Sequence, residues 1–508
     1  MLESLQLLLG GFATALTLQN LAYCLIGAIV GTFVGILPGL GPIGGIALLI
    51  PITFGLDATS ALIMLAGIYY GAMYGGSTTS ILINVPGETA SVITCIEGYK
   101  MAQKGRAGPA LAIAALGSFI GGTIAIFGLV LIAPPLARAA LAFGPPEFAS
   151  LMIFAFVVLS NVTGGSLTKA LMMVIAGLIL GTVGLDPVTG NERFTFGSIY
   201  LLGGIEFVAV AIGVFGLGEV LVNAAKPPAQ LEARVTVPRF RDLYPSLDDL
   251  KRSIGAILRG TGIGFFTGLI PGPAPVIATY ASYTVEKRVS KHPEEFGQGA
   301  IEGVAGPETA NNSATQSAFI PLFVIGIPFG PVPAILLGAL LIHGVTPGPL
   351  LITERADLFW AVVASMYIGN FILLLLNLPF VPLFANMLRV PKKVLLPLVM
   401  LFCFTGMYSV NNSVPDIWMM LGFGALGYIL RGWAYEGAPL LLGLVLGPKL
   451  EVAFRQSVMI SHGDFGIFVE RPVSLALLLA TLAFLLFPFI KLAWRSFQPK
   501  TTPPQAHT

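Results

Sequence analysis

Long stretches of the chain contain no charged residue. Asp, Glu, Lys and Arg are absent between Glu3 and Asp57, from Ala107 to Ala137, from Thr309 to Thr353 and from Leu358 to Leu388. A membrane-spanning helix needs about 20 apolar residues, so each stretch is long enough for one or two passes. The apolar runs are continuous rather than alternating, which favours helices over a barrel. The pattern predicts an all-α polytopic membrane protein with roughly ten to twelve membrane segments, some of them half-length.

Residue composition points the same way. Of the 508 residues, 55% are hydrophobic and 10% are charged, whereas soluble proteins have about 25% charged residues. Most of the surface is therefore expected to face the lipid bilayer. The net charge is +2 and no basic run is interleaved with aromatic residues, so nucleic acid is not an expected partner. The N-terminus lacks the basic region and cleavage site of a signal peptide, and residues 1–15 are expected to form an amphipathic or membrane-entering helix.

Motifs for catalysis or metal binding do not stand out. Cys24, Cys95 and Cys403 and the four histidines have no metal-ligand or disulfide spacing. The phosphate-binding pattern Gly-x-x-x-x-Gly-Lys-Ser/Thr does not occur. No Ser/His/Asp set or membrane-protease motif is recognisable. We therefore expect neither an enzyme nor a metal centre, and no cofactor.

A polar stretch divides the chain near its middle. Residues 224–254 contain several Lys and Arg residues, and short basic loops remain on the cytoplasmic side of membranes. The predicted divisions are a first transmembrane repeat at 1–223, a cytoplasmic linker at 224–254, the core of a second repeat at 255–353, further transmembrane segments at 354–492 and a polar tail at 493–508. No counterpart in the first half is visible for residues beyond about Thr353, so extra spans are expected there.

The segment after the linker repeats the order of parts before it. The run GILPGLGP begins at Gly35, and GLIPGPAP begins at Gly268. A small polar cluster follows in each half, at residues 75–80 and 311–317, and each cluster leads to a Pro-containing break at 84–87 or 326–330. The spacing from cluster to break differs by several residues. The order predicts two related repeats, and we expect them to be inverted in the membrane.

Two Pro-Gly pairs occupy corresponding places, Pro38-Gly39 and Pro271-Gly272. Proline removes a backbone donor and clashes with the preceding turn, so a Pro-Gly pair breaks an apolar helix. Ordinary kinks or loop tips are the alternative. Paired breaks in two halves are the best sequence indication of a transporter's binding site, and their recurrence favours that interpretation.

Uncharged polar residues follow each Pro-Gly pair. The candidates for substrate binding are those pairs together with Ser77, Thr78, Thr79, Asn311, Asn312, Ser313, Thr315 and Ser317. Their oxygens and amides suit a carboxylate or a desolvated cation, although Ser and Thr in membrane helices also bond their own backbone. No Lys or Arg lies in either broken region, so an anion is expected to be held by helix N-termini.

Each half also carries an acid beside its polar cluster. Glu88 follows Pro86-Gly87, and Glu308 precedes Asn311 and Asn312. A buried carboxylate can bind a coupling proton or sodium ion, so the coupling-ion candidates are Asn84, Glu88, Glu308 and Asn312. The alternative for Glu88 is an exposed acid in a helix cap or loop. His343 is treated as a packing residue.

Three motifs carry a resemblance to a known family. The string from Tyr69 to Gly87, YYGAMYGGSTTSILINVPG, resembles the large membrane subunit of the tripartite tricarboxylate transporters, as do ETANN at Glu308 and LLIHG at Leu340. The resemblance covers nearly the whole chain. Unlike the usual Gly-Ser continuation after Gly326-Ile-Pro, this chain has Phe-Gly-Pro at 329–331. The departure leaves the size and polarity of the substrate open.

The resemblance implies a secondary carrier of the bacterial inner membrane. It implies uptake of a di- or tricarboxylate driven by a Na⁺ or H⁺ gradient, and two protein partners, a small four-helix membrane subunit and a periplasmic solute-binding protein. A passive channel for small organic anions is the alternative function, and it would need neither partner nor gradient. The sequence leaves the substrate, the coupling ion and the formation of a homo-oligomer open.

Overall fold

A computed structural model describes residues 2–37, 41–162, 166–225, 240–383 and 392–497. Helices make up nearly all of this part of the chain, and the described residues include one two-stranded antiparallel ribbon of β1 (Gly184–Leu185) and β2 (Glu192–Arg193). The prediction of an all-α fold is confirmed.

The helices before the central linker, of which residues 226–239 lie outside the described residues, begin with α1 near the N-terminus. In order they are α1 (Leu2–Ala15), α2 (Leu18–Ile36), α3 (Gly41–Leu49), α4 (Ala58–Ile83), α5 (Val92–Gln103), α6 (Ala107–Ala140), α7 (Pro145–Val162), α8 (Leu167–Leu180), α9 (Phe207–Ala211) and α10 (Gly218–Ala225). A π-helical turn at Ile212–Leu217 joins α9 to α10, and short 3-10 turns lie at Ile50–Gly55, Thr89–Ser91, Ile199–Leu201 and Phe240–Leu243.

The helices after the linker begin with α11 at Leu247. They are α11 (Leu247–Gly268), α12 (Ala274–Val289), α13 (Glu302–Ser317), α14 (Pro331–Ile342), α15 (Leu351–Glu354), α16 (Ala356–Asn377), α17 (Lys392–Asn411), α18 (Val414–Gly432), α19 (Gly437–Ile460), α20 (Ile467–Glu470) and α21 (Pro472–Phe497). A 3-10 turn at Pro293–Glu295 precedes α13, and a π-helical turn at Pro321–Ile325 follows it.

The apolar helices in the described residues are of two kinds, those long enough to cross a bilayer and shorter ones. Five of those in the described residues are long enough to cross it: α2, α6, the joined α9–α10, α16 and α19. Three other apolar helices in the described residues, α3, α8 and α14, are too short to cross alone, and α3 and α14 each follow a predicted break, as expected of half-length segments. Large apolar side chains are exposed along many helices, such as Phe127 on α6 and Phe371 on α16, as lipid-facing surfaces require.

Glycine packing joins α2 to α4 and, in the same way, α11 to α13. A Cβ atom added at Gly31 or Gly35 would meet the backbone of Ile68 or Ala72 within 2.5 Å, which only glycine avoids. Gly264 and Gly268 lie equally close to the backbone of Ala310 and Ala314 on α13. Small residues allow helix backbones to approach closely in membranes. The two helix pairs are therefore built alike.

The matched glycines align α4 with the helix that contains α13. If Ala72 corresponds to Ala314, then Asn84 corresponds to Gly326, because each lies twelve residues further along its own helix. Both residues end their helices in the left-handed conformation, with φ of 58° and 80°. In this register Ser77 corresponds to Phe319, not to a residue of the 311–317 cluster. The unequal spacing from cluster to break arises because the two polar clusters occupy different places along their helices.

The long helix that follows each break packs on the opposite half. Helix α6 lies against α11 and α13, whereas α16 lies against α2 and α4. Asn370 of α16 bonds both α6 and α4. Its Nδ2 donates to the Phe119 carbonyl on α6 across 2.9 Å, and its Oδ1 accepts from the Tyr74 hydroxyl on α4 across 2.7 Å. Helix α16 lies beyond Thr353, where extra spans are expected, and it packs on the first half as α6 packs on the second.

Candidate functional site

Two helical hairpins lie close together at the ends where their helices are joined. The first consists of α2 and α3, which are separated in the sequence by Pro38 and Gly39, and these two residues lie outside the described residues. The second consists of α11 and α12, with Pro271 and Gly272 at the tip. Gly272 has a φ of 145°, a conformation that favours glycine, and its N–H donates to the Phe329 carbonyl across 2.7 Å. The predicted Pro-Gly break therefore contacts the second break of the same half.

A cavity of about 370 Å³ lies between the two hairpins, and we call it the central cavity. Its wall includes Gly41 of the first hairpin, Gly272 of the second, and residues of both later breaks, among them Gly87 and Gly330. A Cβ atom added at Gly87 would lie 2.1 Å from the Gly35 carbonyl oxygen, so only glycine lets this loop pass so close to α2. The volume falls in the range typical of small-molecule sites, about 300–1,000 Å³.

Helix N-termini surround the central cavity. The first residues of α3, α12 and α14 line it, represented by Ile43, Val276 and Val332. The short turn that begins at Thr89 also lines it, but Glu88 already accepts a hydrogen bond from this turn. The start of a helix carries partial positive charge. The three helix starts around one space favour a negatively charged ligand.

Three ionisable side chains also line this cavity, and they were not predicted to lie together. Glu219 of α10 and Arg431 of α18 form an ion pair there. Asn223 fixes Glu219 by donating to its Oε1 across 2.9 Å. Glu88 is the third and is 7% exposed. The broken regions contain no Lys or Arg, as the sequence shows, but Arg431 reaches the cavity from a distant helix.

Glu88 caps the turn that follows the first break. Its Oε2 accepts from the Ala90 N–H across 2.5 Å, and its Oε1 accepts from Asn311 Nδ2 across 3.3 Å. Glu88 is therefore a helix cap, as the alternative interpretation of the sequence predicted, but its side chain is buried rather than exposed. Glu88 thus contacts the cavity on one side and the second half of the chain on the other.

A buried polar cluster lies behind Glu88, around Glu308. Glu308 is completely buried, and its carboxylate accepts hydrogen bonds from Ser77 Oγ at 2.5 Å and from Thr94 Oγ1. Asn312 Nδ2 donates to Ser118 Oγ across 2.7 Å. No basic side chain of the described residues pairs with Glu308. An isolated buried carboxylate is costly unless it is protonated or bound to a cation.

Several polar atoms of this cluster have no hydrogen-bond partner among the described residues. They are the side-chain oxygens of Asn311 and Asn312 and both polar atoms of Gln316. Each unsatisfied buried group costs about 1–3 kcal/mol. Carboxylate, hydroxyl and amide oxygens are the ligands of hard cations. The cluster therefore has the chemistry to hold a monovalent cation or a proton.

The predicted site residues do not all lie in one place. Gly272 and Glu88 line the central cavity, and Ser77, Glu308, Asn311 and Asn312 form the buried cluster. The remaining hydroxyls bond nearby backbone: Thr79 bonds Gly76, Ser313 bonds Thr261, Thr315 bonds Asn311 and Ser317 bonds Ala314. Thr78 is buried on α4 away from the cavity wall, Pro271 lies beside that wall, and Asn84 is exposed at the end of α4.

Sequence reasoning missed four contributors. Arg431 and Glu219 line the cavity, and Thr94 and Ser118 complete the cluster. Arg431 carries a detectable signal, since a lone arginine ends an apolar helix, but such residues commonly mark the membrane surface. Thr94 and Ser118 carry no signal, because hydroxyls in apolar helices usually bond their own backbone.

Comparisons with known proteins agree with this architecture. A family model described as the tripartite tricarboxylate transporter TctA family matches residues 21–442. An uncharacterized 52.8 kDa protein in the TAR-I ttuC' 3' region of Agrobacterium vitis is 50% identical over 473 residues, 93% of this chain and 94% of that relative. An uncharacterized protein in the TAR-II ttuC' 3' region of the same organism is 50% identical over 215 residues, 42% of this chain and 89% of that relative. No solved structure matches. Since the family match spans most of the chain, this multi-pass membrane protein belongs to the tripartite tricarboxylate transporter TctA family.

Proposed function

We propose that the chain is the cation-coupled permease of a tripartite carboxylate uptake system in the bacterial inner membrane. In this proposal it works with a small four-helix membrane subunit and a periplasmic solute-binding protein, and it moves a di- or tricarboxylate driven by Na⁺ or H⁺. The observation that carries the proposal is the central cavity, which is lined by the N-termini of α3, α12 and α14 and lies between two broken hairpins. Paired broken helices of this kind hold anions in secondary transporters.

The charges of the cavity support a carboxylate as the substrate. Arg431 supplies a planar guanidinium that can bind a carboxylate with two hydrogen bonds. In this structure Glu219 occupies that guanidinium. A substrate carboxylate would take the place of Glu219, while the helix N-termini would hold a second carboxylate. The two kinds of positive group suit an anion with more than one carboxylate.

The position of Glu88 supports coupling of the anion to a cation. Its carboxyl group lies in the cavity wall, and when ionised it repels a substrate carboxylate. Its Oε1 also bonds Asn311, whose own oxygen has no partner among the described residues. A cation or proton bound between Glu88, Asn311 and the cluster at Glu308 and Asn312 would remove that repulsion. Anion binding would then follow cation binding, which is the order that a symporter needs.

The packing of the hairpins supports inverted repeats and alternating access. The end of the first hairpin contacts the second half, where Thr53 lies 2.9 Å from His343 at the end of α14. The end of the second hairpin contacts the first half, where Lys104 beyond α5 donates to the Gln298 carbonyl across 2.6 Å. The end of each hairpin thus contacts the end of the helix that follows the break in the other half. Such reciprocal packing is what an inversion axis between the halves would produce.

Uptake by the complete system tests the proposal. The chain is expressed with its small membrane subunit and its binding protein in cells that lack carboxylate uptake, and labelled citrate and succinate are supplied. We expect accumulation above the external concentration that stops when the ion gradients are collapsed or when the binding protein is omitted. Equilibration that continues without a gradient and without the binding protein would establish a passive channel instead.

A further inference from the structure

A second cavity lies on the other side of the second break. It has a volume of about 590 Å³ and is lined by the loop after α6 and the start of α7, by residues 346–349 and by α19. Gly326 and Ile327 line this second cavity, whereas Phe329 and Gly330 line the central one. The short non-helical segment between α13 and α14 is therefore the wall between the two spaces.

Glycine and backbone contacts make this wall thin. Gly326 adopts the left-handed conformation, and an added Cβ atom would lie 2.4 Å from the Pro347 carbonyl oxygen. The Gly348 N–H donates to the Phe323 carbonyl across 3.0 Å. The loop of residues 346–349 is thus in backbone contact with the segment that separates the two cavities.

Lys449 places a positive charge in the second cavity. It lies on α19, it is partly buried, and it lines the space together with Val452 one turn away. No carboxylate of the described residues forms an ion pair with Lys449. Arg455 on the same helix differs, because it pairs with Glu451 and Asp186. A cation that is partly removed from water and has no partner attracts an anion.

The second cavity and the basic loops lie on opposite faces of the membrane. Arg106, just before α6, forms an ion pair with Asp249 at the start of α11, so both lie on the face of the central linker. Helix α6 has 34 residues and is about 51 Å long at 1.5 Å per residue, more than the roughly 30 Å of a hydrocarbon core. Residues 143–148 after α6 line the second cavity and therefore lie on the far face. Basic loops remain cytoplasmic, so the second cavity faces the periplasm.

We infer that the second cavity is a staging site for the transported anion, in which Lys449 binds a di- or tricarboxylate on the periplasmic side before it passes the second break. The inference rests on the proposed function and adds a second binding site to it. The two sites differ in charge, because Arg431 is paired with Glu219 while Lys449 is free of a described carboxylate. The unpaired cation captures the anion, and the central cavity receives it.

A phospholipid headgroup offers the same anionic oxygens as a carboxylate, and the cavity borders lipid-facing helices. The substrate is favoured because one wall of the second cavity is the break that also bounds the central cavity. A binding site for a lipid headgroup would not need to adjoin the central cavity. The experiment must therefore separate a soluble anion from a lipid.

Cysteine labelling of the full chain provides this test without requiring transport. The native Cys24, Cys95 and Cys403 are replaced by Ala, and Val452→Cys is introduced beside Lys449. Val188→Cys, exposed in the loop between β1 and β2, is the matched control. Membrane-impermeant methanethiosulfonates, one bearing a sulfonate and one a trimethylammonium group, are applied to spheroplasts and to inside-out vesicles.

We expect the sulfonate reagent to react at Val452→Cys faster, relative to the trimethylammonium reagent, than at the control. The difference should be roughly tenfold, since one unit charge acts with opposite sign on the two reagents. Lys449→Met should abolish the difference and Lys449→Arg should keep it. Citrate or succinate added outside should slow labelling at Val452→Cys only, and labelling should occur in spheroplasts and not in inside-out vesicles.

Other outcomes overturn the inference. An unchanged reagent ratio in Lys449→Met would show that Lys449 does not charge the cavity. Labelling slowed by vesicle phosphatidylglycerol but not by citrate or succinate would assign the site to lipid. Labelling from the inner face alone would reverse its orientation. Any of these results with intact gradient-driven uptake would overturn only the staging site, whereas protection by the anions without uptake would count against the proposed function.

Discussion

Asn311 and Glu88 come from different halves of the chain and are joined by a hydrogen bond, in which Asn311 Nδ2 donates to Glu88 Oε1 across 3.3 Å. The same carboxylate lines the central cavity, and the Asn311 oxygen has no partner among the described residues. A charge in the central cavity therefore changes the electrostatic potential at the buried polar cluster, and a charge in the cluster changes the potential in the cavity. The pair connects the anion space to the buried polar cluster.

Neutralising Glu88 should separate anion binding from the coupling ion. In Glu88→Gln the repulsion of a carboxylate is gone whether or not a cation is bound, so the KM for the substrate should no longer change with Na⁺ concentration or pH. In the unaltered protein the KM should fall as the coupling cation rises. The measurement is initial uptake or counterflow at several Na⁺ concentrations and pH values. Glu470→Gln, an exposed acid on α20, is the control; a variant at Glu88 that keeps the normal cation dependence would contradict the coupling role.

The sequence predicts those parts of the site that depend on neighbouring residues in the chain, and it does not predict those that depend on packing between distant helices. The breaks were predicted correctly because Pro and Gly act on their own helix turn: Asn84 and Gly326 end their helices just before Pro86 and Pro328. Arg431 was missed because it reaches the cavity only through the packing of α18 on α9 and α10. No periodicity in the sequence contains that contact.

The polar clusters show the same limit. Ser77 was predicted as a substrate ligand, yet it donates to Glu308, a residue of the other half. The pairing depends on how α4 packs against α13, a contact between distant parts of the chain that no local pattern contains. Residue types predicted which atoms are available for binding. Helix packing decided which of them meet.

Glycine packing on α11 can be tested by stability. Gly264→Ala would bring a Cβ atom within 2.3 Å of the Ala310 carbonyl oxygen, whereas Gly262→Ala on the same helix meets nothing within 4 Å. We expect Gly264→Ala to destabilise the protein by about 1–3 kcal/mol and Gly262→Ala to leave it unchanged or slightly more stable. Thermal unfolding in detergent, followed by a thiol-reactive dye, measures the difference. Equal melting temperatures for the two variants would argue against close packing of α11 on α13.

The loop that carries β1 and β2 should loosen at acid pH. The backbone N–H groups of Thr189 and Val188, followed by Arg455, hold the pKa of Asp186 at about 2, below its usual 3.8. A lowered pKa stabilises the loop fully above about pH 4, and the stabilisation is lost as the pH falls towards 2. Amide hydrogen exchange at Val188 and Thr189 between pH 5 and 2.5, corrected for the intrinsic rate, should accelerate in this window. Asp186→Asn should flatten the profile, and identical profiles for the two proteins would exclude Asp186 as the cause.

The ion pair of Arg431 and Glu219 makes the substrate compete with an internal carboxylate. Removing that competitor in Glu219→Gln should lower the KM for the carboxylate roughly two- to fivefold, because a partly exposed ion pair contributes up to about 1 kcal/mol. Arg431→Gln should raise the KM by about tenfold or more, as expected for the loss of a charge-assisted hydrogen bond of about 1.5–3 kcal/mol. Initial uptake rates over a range of substrate concentrations measure both values. Glu295→Gln, which breaks an ion pair with Arg252 on the linker face, should leave the KM unchanged.

The double variant separates two explanations for Arg431. Arg431→Gln alone leaves Glu219 unpaired in the cavity wall, so a raised KM could arise from repulsion by Glu219 rather than from the loss of a substrate ligand. In the double variant Glu219→Gln with Arg431→Gln, that repulsion is gone. If Arg431 binds the substrate, the KM stays high in the double variant. If Arg431 only neutralises Glu219, the KM returns to that of the unaltered protein, and the helix N-termini alone must hold the anion.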